Sequence, residues 1–182
     1  MFDLTGQPID IIFEEGNYIE GRVGLVSPNQ EGSNPVLGNF DDIGNSLPFF
    51  TLGAKTDFTD RISGAILYDT PFLRDTTYSA GIFEGTDARV EAQTITAVGR
   101  FKFNENFSIY GGPRLQNSRI DLQGPFAQFP GTTTIIPGEV PTYQIEVSEY
   151  DFGYVVGAAA EVPELKARIA VTYNSEINHS FD

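Results

Sequence analysis

Five basic side chains are the residues of this sequence best suited to bind a ligand. Each falls at the polar position of a segment in which apolar and polar residues alternate, and that period of two is typical of a β-strand with one polar face. An arginine presents a planar fork of N–H donors that can hold a carboxylate through two hydrogen bonds. If the polar face lines an interior, these five residues form a candidate anion site: Lys55, Arg100, Lys102, Arg114 and Arg168.

Ion pairing within the interior is the competing interpretation of these bases. Four acidic residues are expected on the same polar face: Glu20, Asp57, Glu91 and Glu176. Polar interiors of β-barrels commonly hold charged groups of both signs. The sequence therefore leaves open whether the bases bind a ligand or neutralise these acids.

Catalytic chemistry has little support in the sequence. The single histidine, His179, is followed by Ser180, with Asn174 and Ser175 nearby. A catalytic triad also needs an oriented nucleophile and an oxyanion donor, and no motif here supplies them. No zinc-protease, phosphate-loop or dinucleotide-binding motif occurs, and there is no cysteine. We expect a protein without enzymatic activity, cofactor or metal site.

The segment Ile95–Gln116 gives the clearest structural pattern. Its first half places small or apolar residues at Ile95, Ala97, Gly99, Phe101 and Phe103, and the intervening positions are mostly polar. Asn104–Asn106 has turn chemistry, after which the apolar register resumes from Phe107. This pattern predicts a β-hairpin with a tight turn.

The positions of the aromatic residues favour a membrane barrel over a soluble sandwich. Large rings crowd the turn end of the apolar face, whereas a soluble sandwich places them in mid-strand. Membrane barrels carry aromatic girdles at the two water boundaries. The residues expected in such girdles are Phe50, Phe58, Phe101, Phe103, Phe107 and Tyr173. A soluble core built from the same residues is the alternative.

The remaining alternation predicts one domain, residues 1–182, folded as an all-β antiparallel up-and-down transmembrane β-barrel of about seven or eight strands. Long connections are expected over residues 27–48, 69–88 and 124–141, and along the chain they alternate with tight turns. Short turns on one side and long loops on the other are typical of such barrels. Pro113 interrupts a predicted strand and indicates a bulge, a wall opening or a simple kink. Strands are predicted over Tyr18–Leu25, Phe49–Phe58, Ile62–Tyr68, Ile95–Phe103, Phe107–Asp121, Tyr143–Val162 and Leu165–Tyr173.

Charge and hydropathy exclude other classes. Eleven basic residues against 25 acidic ones, a net charge of -14, argue against nucleic-acid binding. The longest apolar run, Tyr154–Ala160, is far shorter than the roughly 20 residues of a membrane helix. Loop carboxylates such as Asp41, Asp42, Glu84 and Asp87 mainly hydrate the loops, with cation-mediated contact to lipopolysaccharide as the alternative.

Four segments together resemble the FadL family of outer-membrane transporters for long-chain fatty acids and other hydrophobic compounds. The resemblance covers about the first half of that barrel. The segments, in family order, are FEEGNYIEGRVGLVSP (13–28), LGAKTDFTDRISGAILYDTPF (52–72), AVGRFKFNENFSIYGGPRLQ (97–116) and GYVVGAAAEVPELKARIAVTYNSEINHSF (153–181).

The resemblance implies a fourteen-stranded barrel in the outer membrane of a Gram-negative cell. Such a barrel binds an apolar ligand inside and releases it sideways through the wall by passive diffusion. The expected partners are a fatty acid or another hydrophobic small molecule, and outer-membrane lipid, lipopolysaccharide or detergent. The family's N-terminal hatch motif, Asn-Pro-Ala, does not occur in this sequence.

Seven strands cannot close into an all-antiparallel ring, and an open edge is not tolerated in lipid. Three solutions are compatible with the sequence. Residues 7–14 supply an eighth strand, two chains form a fourteen-stranded homodimer, or the chain is a truncated or redesigned barrel with a structural role only. A soluble β-rich lipid-binding protein is the remaining alternative.

Overall fold

The computed structural model describes residues 2–3, 8–28, 32–34, 38–40, 44–78, 84–125 and 142–177. The predicted residues His179, Ser180, Asp41 and Asp42 lie outside these ranges. The described strands are β1 (Phe2–Asp3), β2 (Tyr18–Val26), β3 (Gly32–Asn34), β4 (Gly38–Phe40), β5 (Leu47–Asp57), β6 (Ile62–Tyr78), β7 (Thr86–Lys102), β8 (Phe107–Pro125), β9 (Thr142–Val162) and β10 (Ala167–Asn174). Two 3-10 helices span Pro8–Phe13, named here the inner helix, and Pro163–Leu165.

Seven strands form one curved antiparallel sheet in the order β10-β9-β8-β7-β6-β5-β2, which is half of a β-barrel. Every neighbouring pair in this order is antiparallel. The predicted all-β, up-and-down fold is therefore confirmed. The strands β3 and β4 form a separate small hairpin within the predicted connection 27–48. No described helix has the length and apolar character needed to cross a membrane.

Tight turns join the strands at one end of the sheet, named here the short-turn end; the opposite end is the long-loop end. Asn104 accepts hydrogen bonds from the backbone N–H groups of Asn106 and Phe107, at 2.9 and 2.8 Å. Thr59 Oγ1 accepts one from the N–H of Ile62 at 3.0 Å. These side chains satisfy turn N–H groups and so fix the hairpin registers.

The apolar faces of the strands point outward, on the convex side of the sheet. Ile66, Ile95, Ile109 and Ile169 are 64, 50, 47 and 76% exposed, whereas Arg100 on the opposite face is 3% exposed. A soluble protein buries its large aliphatic side chains. These isoleucines do not pack together in a core. The predicted division into an apolar outer face and a charged inner face is therefore confirmed in the half of the sheet nearer the short-turn end.

The six predicted girdle aromatics are all exposed on this convex face. Phe103 and Phe107 flank the turn between β7 and β8, and Phe101 packs edge-on against Phe103 with 5.3 Å between ring centroids. Phe50 lies higher, beside Tyr68 at 6.2 Å. Tyr173 is in register with Val156, Gly111 and Gly99, between these two groups of rings.

The predicted long connection over residues 69–88 is wrong. The strand β6 continues to Tyr78, and β7 begins at Thr86. Between Asp69 and Phe72 the register of β6 against β7 shifts by one residue. This bulge accommodates Pro71, which lacks a backbone N–H, and lets the strand continue beyond it.

The predicted eighth strand from residues 7–14 is also wrong, because Pro8–Phe13 forms the inner helix. Its Ile11, Ile12 and Phe13 are buried against the concave face, with 4, 0 and 7% of their surface exposed. Three consecutive buried residues fit a short helix on a surface better than a strand, whose side chains alternate between two faces.

Pro113 interrupts the ladder between β7 and β8 without changing its register. Thr96 pairs with Arg114 and Gly99 with Gly111, while the two positions between them have no pairing. On its other side Pro113 stays in register with Tyr154. Pro113 is therefore a local gap in the ladder and not a bulge.

Candidate functional site

The concave face carries a buried polar surface that runs from the short-turn end to the middle of the strands. Its members are polar side chains of β5 to β8 that the neighbouring strands and the inner helix shield from solvent. All are less than 9% exposed: Lys55, Ser63, Asp69, Thr94, Thr96, Arg100, Ser108, Gln116 and Ser118. Two of the five predicted bases, Lys55 and Arg100, belong to this surface.

Arg100 and Arg168 form one cluster around Glu161. The Glu161 carboxylate accepts a hydrogen bond from Arg100 Nη2 and lies 3.7 Å from Arg168 Nη1. Arg100 Nε also donates to Ser108 Oγ at 3.0 Å. Glu161 was not among the predicted acids, although its place on the polar face of β9 is the available signal.

Phe13 of the inner helix lies between these two arginines. Its ring centroid is 4.6 Å from Arg100 Cζ and 4.1 Å from Arg168 Cζ, within the range of cation–π attraction. Tyr110 meets the same ring edge-on at 5.2 Å. Phe13 thus covers Arg100, and Glu161 already forms an ion pair with it. A ligand carboxylate could reach Arg100 only by displacing both residues.

Lys55 forms an ion pair and a hydrogen bond in a second cluster. Its ammonium donates to Asp57 Oδ1 at 2.5 Å and to the carbonyl of Gly16 at 3.0 Å. Asp57 also accepts from Ser63 Oγ at 2.5 Å and from the N–H of Gly16 at 2.7 Å. The predicted ion pairing with Asp57 therefore occurs, and the cluster anchors the chain that leads from the inner helix into β2.

Lys102 and Arg114 have fewer contacts. Lys102 lines a cavity of about 1110 Å³ at the short-turn end, together with Arg100 and Arg168. Arg114 lies apart from this cavity and donates through Nη1 to Asn174 Oδ1 at 2.7 Å. Its buried Nε has no hydrogen-bond partner within the described ranges. Arg114 thus keeps one buried donor that no described group accepts.

The three other predicted acids have different roles from those expected. Glu20 pairs with Arg22 on the same strand. Glu91 lies on the convex face and pairs with Arg89 at 3.1 Å, so its predicted inward position is wrong. Glu176 lies exposed beyond β10.

The faces exchange polarity toward the long-loop end, which the sequence interpretation missed. Ile95, Leu115 and Phe152 form the last apolar row on the convex face. Above this row, the convex residues of β7, β8 and β9 carry polar groups up to the level of Asp87, Gln123 and Gln144, beyond which β8 ends with Pro125. This outer polar band consists of Asp87, Arg89, Glu91, Gln93, Asn117, Arg119, Asp121, Gln123, Gln144, Glu146, Ser148 and Tyr150.

The concave face behind the outer polar band is largely apolar. In register across the three strands, Val90 pairs with Ile120 and Ile120 with Val147, while Leu122 pairs with Ala88 and Ile145. Ile145 is 44% exposed although it faces inward. This inner apolar patch consists of Ala88, Val90, Ala92, Ile120, Leu122, Ile145 and Val147. Counting the face of each residue to the end of each strand would have found it.

The pairing of β5 with β6 is interrupted beside the bulge of β6. The strands β5 and β6 pair only between Leu52–Asp57 and Ser63–Tyr68. Above that level β6 pairs instead with the two residues of β1, at Phe72 and Leu73. Phe50 reaches across through a long contact of its N–H with Thr70 Oγ1 at 3.4 Å. Regular strand pairing is thus absent from this part of the described β5–β6 boundary.

The fold and its inverted faces define one half of a transmembrane-type β-barrel with a partly filled interior. Among solved structures, the crystal structure of a Pseudomonas aeruginosa FadL homologue is similar at a TM-score of 0.60 and 19% sequence identity. The match covers 88% of this chain and 42% of that chain, so the fold spans less than half of that homologue. No protein-family description and no curated protein matches the sequence.

Proposed function

We propose that this protein takes part in the uptake of hydrophobic molecules, such as long-chain fatty acids, across the outer membrane of a Gram-negative cell. Uptake occurs by passive diffusion, without enzymatic turnover, cofactor or metal. The observation that carries the proposal is the exchange of face polarity at the row Ile95, Leu115 and Phe152.

In this proposal the row lies at the outer membrane boundary, and the strand lengths support that position. A strand crosses the bilayer in about 9–11 residues. The strands β6 to β9 have 17, 17, 19 and 21 residues, so about half of each extends beyond the lipid. There the outer polar band faces water, and the inner apolar patch offers a captured hydrophobic molecule a surface shielded from it.

The proposed exit is the part of the wall where β5–β6 pairing is interrupted and the two-residue β1 pairs with β6 instead. It lies beside the bulge at Asp69–Phe72. Asp69 pairs with Thr94 of the neighbouring strand β7, one row above the last apolar row. A molecule leaving the inner apolar patch at this level would reach the hydrocarbon boundary directly. The buried charges below, around Arg100 and Lys55, disfavour an apolar molecule and direct it sideways.

We expect Ile120→Asn to reduce uptake of a long-chain fatty acid by about fivefold. The asparagine removes about 1 kcal/mol of apolar contact from the inner apolar patch, since Ile120 is only half-buried. Uptake of a radiolabelled fatty acid into cells expressing equal amounts of each variant measures the effect. Asp121→Asn, on the opposite face of the same strand, is the matched control and should leave uptake unchanged; equal losses in both variants would contradict the proposal.

We expect Arg114→Gln to weaken fatty-acid binding about tenfold without changing the binding of a hydrocarbon of equal chain length. The free Arg114 Nε can donate a charge-assisted hydrogen bond to a carboxylate, worth about 1.5 kcal/mol. Displacement of a fluorescent fatty acid from the protein in detergent measures both affinities. If both ligands lose affinity equally, Arg114 supports the structure and does not bind the carboxylate.

A barrel portion with a purely structural role is the second candidate function. The described strands alone form an open sheet with β2 and β10 at its two edges, and an open sheet encloses no channel. The Ile120→Asn experiment separates the two functions, since a structural element shows no uptake for that substitution to reduce.

A further inference from the structure

One row of concave side chains, directly below the inner apolar patch, is polar across four strands. Asp69 of β6 is in register with Thr94 of β7. Thr94 is in register with Gln116 of β8, which pairs in turn with Asp151 of β9. We name these four residues the polar row. The next concave residue of β7 toward the long-loop end is Ala92, a member of the inner apolar patch, so the concave surface changes from polar to apolar within two residues of that strand.

Two neighbours in the polar row are buried with hydrogen-bonding atoms left unused. Asp69 is 8% exposed and Thr94 is 1% exposed. Within the described ranges, neither Asp69 Oδ1 nor Thr94 Oγ1 has a hydrogen-bond partner. Gln116, the next residue of the row, donates from Nε2 to Ser118 Oγ at 3.4 Å and so satisfies neither of them. Burial of such groups without a partner is costly, above all for a carboxylate, so the row is complementary to a ligand that donates hydrogen bonds.

Carboxylates outnumber bases around the polar row. On the concave face of this row and of the rows on either side, the described acids are Asp69, Asp151 and Glu149, and the described base is Arg114. Glu149 Oε2 is also buried without a hydrogen-bond partner in this part of the chain. Arg114 acts electrostatically on Asp69, and Arg74 lies two rows further toward the long-loop end. One guanidinium balances one of three carboxylates, so the surroundings of the row favour a positive charge.

We propose that the concave face also binds an amphiphile with an ammonium head group, of the class of long-chain primary amines. The ammonium donates hydrogen bonds to Asp69 Oδ1 and Thr94 Oγ1, and the alkyl tail lies on the inner apolar patch. From Thr94 to Ala88 the strand β7 rises about 20 Å, at roughly 3.3 Å per residue, which accommodates an extended alkyl chain. The position of the tail rests on the function proposed above, whereas the head-group site is an addition to it.

The chemistry of the head group distinguishes the ammonium from other polar groups. An ammonium supplies three hydrogen-bond donors together with a positive charge. A hydroxyl supplies a single donor and no charge, and a carboxylate only accepts hydrogen bonds and is repelled by the three acids. A fatty acid therefore depends on Arg114 of β8, while an amine depends on Asp69 of β6. The two head groups occupy different places below the same apolar patch.

Competition binding in a nonionic detergent at neutral pH tests the head group with the tail held constant. The competitors are dodecylammonium, dodecanol, dodecanoate and dodecane, each corrected for its partition into protein-free micelles, and the displaced probe is a fluorescent fatty acid. We expect dodecylammonium to bind about tenfold more tightly than dodecanol, because its hydrogen bonds to Asp69 are charge-assisted. Equal affinities of these two ligands would overturn the proposal. So would tighter binding of dodecanoate than of dodecylammonium.

The variant Asp69→Asn removes the charge of the proposed site and keeps the shape of the side chain. We expect it to weaken dodecylammonium binding about tenfold and to leave dodecane binding unchanged. Asp121→Asn is the matched control, because it removes the same charge from the convex face, and it should change neither affinity. Equal losses of dodecylammonium affinity in the two variants would overturn the proposal.

Two further readouts separate this site from a structural role of Asp69 and from transport. Because Asp69→Asn removes a buried charge that lacks a hydrogen bond at Oδ1, the urea midpoint of the ligand-free protein should not fall. A lower midpoint would show that Asp69 supports the fold, and it would overturn the proposal. Fatty-acid uptake into cells is measured independently. Uptake without a preference for dodecylammonium refutes this inference alone, and the preference without uptake refutes only the proposed transport.

Discussion

Replacing Glu161 by alanine should lower the free energy of unfolding by about 3–5 kcal/mol, the usual cost of removing one partner from a buried ion pair. The Arg100 side chain is 2% exposed and depends on Glu161 for its ionic partner, while Arg168 shares the same carboxylate. Without Glu161 two like charges face each other across the Phe13 ring. We therefore expect the inner helix to loosen as well.

Urea titration of the protein in lipid vesicles measures this loss. Glu91→Ala is the matched control, because Glu91 has the same 22% side-chain exposure but pairs with the 52% exposed Arg89. Such a surface pair contributes about 0–1 kcal/mol. Similar losses in the two variants would show that Arg100 is not buried as the structure places it.

The second large effect is expected at Ile95. An arginine on the lipid face of a barrel costs about 2–4 kcal/mol near the bilayer midplane and about 0–1 kcal/mol at the interface. Ile95 and Gln93 are neighbours on the convex face of β7, just below and just within the outer polar band. Because Ile95 lies just below the boundary, between these two extremes, we expect Ile95→Arg to destabilise the protein by about 1–2 kcal/mol and Gln93→Arg by less than about 1 kcal/mol.

The same urea titration in vesicles checks the pair, and repeating it in vesicles of shorter acyl chains gives the depth dependence. In thinner bilayers the cost at Ile95 should fall, since the residue then lies closer to water. A cost at Gln93 that equals or exceeds the cost at Ile95 would place the membrane boundary elsewhere.

Much of the fold could be predicted because alternation and turn chemistry are local. The hairpin around Asn104 follows from side chains that satisfy nearby N–H groups. Alternation also identified the outward Ile95 and the inward Arg100. The extension of β6 past Pro71 was not predicted, because a bulge depends on how the neighbouring strand absorbs one extra residue.

The candidate site was predictable only as a set of inward bases. Parity along each strand shows that Arg100 and Arg168 face the interior, but their shared partner Glu161 depends on the register of β9 against β8 and β10. Phe13 could not be found this way, because it comes from a helix far away in sequence. The inner apolar patch was missed for a different reason. Apolar residues face outward below the outer polar band but inward behind it, so one rule for the whole strand assigns the wrong face.

The single measurement that tests the central claim most directly uses tryptophan fluorescence, because the chain contains no tryptophan of its own. Ile95→Trp and Ile120→Trp place one reporter on the convex face below the outer polar band and one on the inner apolar patch. In vesicles of lipids with brominated acyl chains, we predict strong quenching of the reporter at position 95 and little quenching at position 120. An unquenched reporter at position 95, or equal quenching at both positions, would contradict the assignment of the two faces.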